Sequence, residues 1–152
     1  MATVQLAKVG SWQFDMPEAW LPKDNESSDS YFEAPDGEKG LYVKCIELPH
    51  PEASPHAVAE YVQGVHFTGF TEISGSKWVV QRRTAEEHGG LVRSILDLYD
   101  VQASYRVLSL VVCGKQQAIQ ITVHDYWCTD YAATCNTFRP LVASVHSTQS
   151  MV

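Results

Sequence analysis

The chain has 152 residues, 45% of them hydrophobic, enough for one domain with a sizeable core. Its formal charge of -7 argues against a phosphate-backbone binder, because such affinity is carried by clustered Lys and Arg, and anionic membrane surfaces repel it for the same reason. The charge is also uneven: eleven acids face three lysines between Asp15 and Glu60, and the remainder is close to neutral.

The opening residues contain no apolar run of signal-peptide length, and no stretch approaches a membrane-spanning helix. The expected location is the cytoplasm. Cys45, Cys113, Cys128 and Cys135 are irregularly spaced without a paired CxxC, so free thiols are expected in a reducing compartment.

In "SWQFDMPEAWLP", Trp12, Phe14 and Met16 alternate with Gln13 and Asp15, which predicts a half-buried strand ended by Pro17 and a corner that lays Trp20 back on the body. Residues 23–30 read as a polar loop. "SYFEAPDGEKGLYVKCIEL" predicts a hairpin turning at Asp36 and Gly37, with one of Tyr31 and Phe32 facing inward.

Ser54 is placed as an N-cap with Pro55 in the first turn, and Val58, Tyr61, Val62 and Val65 recur at helical spacing, predicting a helix that ends near Gly64. From Phe70 onward extended runs separated by turns ("AEEHGG", "DVQAS", "GKQQ") predict an antiparallel meander. Along "SYRVLSLVV" both faces are largely apolar, which calls for cover above and below the sheet. Trp78 and Trp127 are expected to pack on that sheet.

Thr129 or Asp130 caps a last helix in which Tyr131, Cys135 and Phe138 form an inward stripe, and Pro140 is expected to kink or restart it. The sum is α+β: a single domain over residues 1–146, with an antiparallel sheet of six or seven strands, helices on both faces and a frayed tail at 147–152.

No catalytic constellation stands out. His124, Asp125, Cys128 and Cys135 match no common zinc spacing. The six histidines are scattered, no serine is framed as GxSxG, and Glu86, Glu87, Asp97 and Asp100 lack the pattern of paired acid/base carboxylates. The reading is a non-enzymatic binder with no catalytic residue, no metal and no cofactor. Its expected contact surface is the acidic, aromatic stretch of Trp20, Asp24, Glu26, Asp29, Tyr31, Glu33, Asp36 and Glu38.

The succession "FDMPEAW", "LYVKCIEL", "SPHAVAEYV", "GGLVRSILDLY", "SYRVLSLVV" and "TFRPLVAS" over residues 10–146 resembles the PsbP-like fold, shared by Ran-binding Mog proteins, DcrB-like proteins and Eag-type secretion chaperones. The resemblance implies a binding protein. A small acidic cytoplasmic binder of this kind fits an immunity protein that neutralises a secreted bacterial toxin by occluding its active site. The alternative is an Eag-type chaperone for a type VI secretion effector, which would hold apolar helices against the sheet. An acidic rim with aromatic anchors marks the first role, and an apolar groove marks the second.

Overall fold

Alternation of side chains across extended backbone builds most of this molecule. The computed structural model describes residues 3–23, 29–48, 54–72 and 77–148. Strands β1 (Val4–Val9) and β2 (Trp12–Pro17) form an antiparallel hairpin around Gly10, whose φ of 59° suits a residue without a side chain. β1 was not expected from the sequence, because its inward face is reduced to the small Ala7 while Leu6 stays exposed. β2 behaves as its period predicts, with Trp12, Phe14 and Met16 buried.

Seven strands make the main sheet: β3 (Leu21–Pro22), β4 (Ser30–Glu33), β5 (Lys39–Glu47), β6 (Val79–His88), β7 (Leu91–Asp100), β8 (Tyr105–Cys113) and β9 (Gln117–Asp125). Their lateral order is β3-β4-β5-β9-β8-β7-β6, every pair antiparallel. The expected break of β6 at "AEEHGG" does not occur. The strand continues to His88 and the reversal is confined to Gly89 and Gly90, both at positive φ, as a two-residue hairpin requires.

Helix α1 (Pro55–Thr71) starts as read, with Ser54 Oγ accepting from Ala57 N at 3.1 Å, but runs seven residues beyond the expected stop at Gly64. Contacts with the sheet outweigh the glycine's weak helix propensity. The buried Gln63 amide donates to the carbonyls of Ser94 and Ser109, both at 3.0 Å, and further along the helix the Phe70 ring lies 5.8 Å from Trp78. Phe70 therefore belongs to the helix, and the remainder of the expected run at 73–76 lies outside the described residues.

Helix α2 (Tyr131–Ser144) is capped by Asp130 and passes through Pro140 without interruption. The carbonyl deprived of its donor is that of Asn136, an exposed residue whose oxygen water can reach. Strand β10 (His146–Ser147) then pairs with β2, so Ser147, the first residue of the expected frayed tail, takes part in a three-stranded sheet ordered β1-β2-β10, and residues 149–152 lie outside the described residues.

Two layers cover the seven-stranded sheet, as its two apolar faces demand. On one face Leu41, Val43, Leu108, Leu110, Ile119 and Ile121 join Trp12, Phe14 and Trp20 from the N-terminal segment and Phe138 and Leu141 from α2 in the main core. On the other, α1 sets Ala59 against Val92, Val111, Cys113 and Ala118. Single-domain α+β architecture with a seven-stranded antiparallel sheet results. Among the described residues no helix is long and apolar enough to cross a membrane.

A buried ion pair fastens α2 to the sheet. Arg106 donates through Nε and Nη2 to the two carboxylate oxygens of Asp97, at 3.0 and 2.7 Å, while Tyr131 donates to Asp97 Oδ2 at 2.7 Å and lays its ring over the guanidinium. Burial opposes the Arg106 charge, but the hydrogen bonds and charge of Asp97 more than offset it and hold the arginine above its ordinary pKa.

Candidate binding groove

The stripe of Val58, Tyr61, Val62 and Val65 that marks α1 as a helix does not lie squarely on the sheet. Gln63 and Ala59 take the innermost positions of α1, which rotates Tyr61 and Val65 outward to 74% and 57% exposure. Between this exposed edge and the uncovered part of β5 and β9 lies an open groove of about 480 Å³. Its walls include Tyr42, Lys44, Ile46, Val62, His66, Gln120, Thr122 and His124, with Asp29 at one side.

A chain of rings forms the floor and one end. Tyr31 and Tyr42 have centroids 4.4 Å apart, and Tyr42 meets His124 edge-on at 5.6 Å. His124 stacks on Tyr126 at 5.4 Å and neighbours Tyr105, which touches Trp78; Trp78 in turn meets Phe70, and Phe70 meets His66. Period two explains the convergence. Tyr42, Tyr105, His124 and Tyr126 all project to the α1 side of the sheet.

Hydrogen bonds engage several polar atoms of this cluster, while the buried Trp78 Nε1 has no partner among the described residues. Tyr105 Oη lies 2.6 Å from His124 Nδ1, and His66 Nδ1 lies 2.8 Å from Ser109 Oγ and 3.0 Å from Gln120 Nε2. Ser109 is fully buried and also donates to Gln63. Burial lowers both histidines from 6.5 to about 4, with Lys44 adding to the effect at His66 and His66 adding to it at His124. Both rings are therefore neutral at pH 7. Burial pushes the Tyr105 hydroxyl well above its usual range, and Tyr31 moves the same way through burial and its bonds to Tyr126 and Glu33.

The residues expected to bind a partner are dispersed by the fold. Trp20 is 4% exposed, a core residue whose carbonyl accepts from Gln5 Nε2. Tyr31 is 8% exposed because Gly40, which lies opposite Glu33 on β5 and diagonal to Tyr31, leaves it room: a Cβ there would collide with the Tyr31 ring. Neither ring is presented to solvent as an anchor. Asp24 and Glu26 lie outside the described residues. Asp29 reaches the groove, Glu33 accepts from Tyr31 Oη at 3.0 Å, and Asp36 and Glu38 are exposed on the turn between β4 and β5.

Other expectations divide similarly. Trp78 packs in the ring cluster, whereas Trp127 is 58% exposed in the turn after β9. His124 and Asp125, adjacent in sequence, project to opposite faces; Asp125 accepts from Thr134 Oγ1 at 2.6 Å beneath α2. Lys44, Tyr61, Val65, His66 and Gln120 were not singled out for the site. The signal available was the i, i+4 pair Tyr61 and Val65 followed by His66 and Phe70, obscured by ending the helix at Gly64.

Among solved structures, the chain is similar to the cyanobacterial PsbP protein (CyanoP) of Synechocystis sp. PCC 6803, with a TM-score of 0.69 at 16% identity over 97% of this chain and 94% of that one. It is also similar to a protein of Bacteroides thetaiotaomicron VPI-5482, with a TM-score of 0.59 at 8% identity, covering 92% of this chain and 46% of the other. No protein-family model and no curated protein matches the sequence. At such identities the likeness concerns architecture, and the architecture is PsbP-like.

Proposed function

We propose that this domain is a non-catalytic binding module that holds an apolar-faced segment of another protein in the groove between α1 and β5. The observation carrying this reading is the outward placement of Tyr61 and Val65 above a ring-lined groove. Two exposed apolar side chains one helical turn apart match the i, i+4 anchors by which a partner helix or strand is gripped. His66 Nδ1 and His124 Nδ1 are engaged in internal hydrogen bonds, and histidines with pKa near 4 are weak bases at neutral pH. Such a surface suits the chaperone role better than the toxin-neutralising one, since Trp20 and Tyr31 are core residues.

The immunity role retains one supporting observation, the exposed Asp36 and Glu38 on the β4–β5 turn. A single titration separates the two. Fluorescence anisotropy with a labelled apolar helical peptide is expected to show saturable binding that Tyr61→Lys and Val65→Glu weaken roughly tenfold each, as loss of buried anchors does. Asp36→Lys with Glu38→Lys is expected to leave it unchanged. Failure of the wild-type protein to bind any such peptide would reject the groove reading, and capture of a basic toxin lost on the acidic reversals would favour inhibition.

A further inference from the structure

The sheet ends at β6, a ten-residue strand bonded to β7 on one side; among the described residues no strand pairs with its other side. All of its residues except Thr84 are exposed, it holds no proline, and its one irregularity falls between Val80 and Arg82. A long free edge of this kind is a template for a further strand unless something blunts it. Charged residues commonly do so. Here their order has a different effect.

Arg82 and Arg83 are separated from Glu86 and Glu87 by the uncharged Thr84 and Ala85, so the segment is neutral on a chain of charge -7 and reverses sign about its middle. Two copies of one strand that pair antiparallel are related by a twofold axis perpendicular to the sheet. Opposed residues then share a face, so the axis must lie midway between two copies of the same residue. With the axis on Thr84, Arg82 stands opposite Glu86 of the second copy, and Glu86 opposite Arg82 of the second copy, on the α2 side. Arg83 then lies diagonal to Glu87 of the second copy on the α1 side.

Internal competitors for these charges are few. Arg82 and Glu87 make no ion pair among the described residues, Glu86 meets only the exposed His88 at 3.5 Å, and Arg83 lies over the Phe67 ring. We propose that β6 pairs with β6 of a second copy of this chain, antiparallel and centred on Thr84, joining the two seven-stranded sheets edge to edge. The pairing uses no residue of the groove wall and stands independently of it.

Sedimentation velocity over a concentration series provides the test. Wild type is expected to pass from monomer to dimer. Arg82→Glu alone, or Glu86→Arg alone, sets like charges opposite each other twice and is expected to weaken the dimer roughly thirtyfold. Mixing the two single variants restores opposite charges at both positions, so a heterodimer of wild-type strength is expected. Recovery on mixing also shows that the variants were folded. A wild-type protein monomeric throughout, reversals that dimerise like wild type, or natively melting variants that fail to recover on mixing would each overturn the proposal. Recovery by the Arg83→Glu and Glu87→Arg pair instead would overturn the Thr84-centred register.

Discussion

Acid should weaken this fold through two neutral histidines. His66 and His124 have pKa values near 4 in the folded protein because burial disfavours their charged form, whereas the unfolded chain titrates near 6.5. The unfolded state therefore binds more protons in that window. The stabilisation is complete above pH 6.5 and is lost as pH falls toward 4. Between about pH 8 and about pH 5 each ring would cost about 2 kcal/mol if fully shielded, and allowing for their half-buried positions about 2 to 3 kcal/mol is expected for the pair. Urea unfolding at the two pH values measures this. The His66→Gln/His124→Gln variant should lose less stability than wild type by that amount, while the carboxylates common to both proteins cancel in the difference. Parallel losses in the two proteins would refute the assignment of neutral, desolvated rings.

Removing one partner of a buried pair leaves the other charge without compensation, so Asp97→Asn is expected to destabilise by about 3 kcal/mol, read as a lowered denaturation midpoint. The cost arises where Arg106 and Tyr131 both depend on that carboxylate. At Gly64 and Gly69 an added Cβ meets nothing within 4 Å, so Gly64→Ala and Gly69→Ala should each stabilise by about 0.5 to 1 kcal/mol. Thermal unfolding at constant pH checks both variants, and a lowered midpoint would contradict the continuous course of α1.

The architecture was legible in the sequence wherever a period was clean. Trp12, Phe14 and Met16 in β2, the two-sided apolar run of β8 and the caps at Ser54 and Asp130 all stand as their patterns predict. β1 was hidden because Ala7 is its one buried residue, and the length of α1 because Gly64 imitates a stop while tertiary contacts carry the helix past it. The groove was harder to foresee. Its rings come from β4, β5, β8, β9 and α1, and nothing local announces that His66, brought from 58 residues earlier in the chain, will share one surface with His124. The rotation of α1 that exposes Tyr61 and Val65 depends on where Gln63 finds its carbonyls, a property of the assembled sheet.

Strand β2 is flanked by β1 on one side and β10 on the other, and Thr148 donates to the carbonyl of Ser11 across 137 residues of chain. During synthesis the first hairpin can therefore form early, yet its second edge stays open until residues 146–148 have left the ribosome. The Asp15 N–H waits likewise for the Ser144 hydroxyl, 2.7 Å away in the finished fold. A nascent chain stalled before residue 144 would expose the far side of β2, so an edge made early in this domain is sealed only by residues made more than 120 positions later.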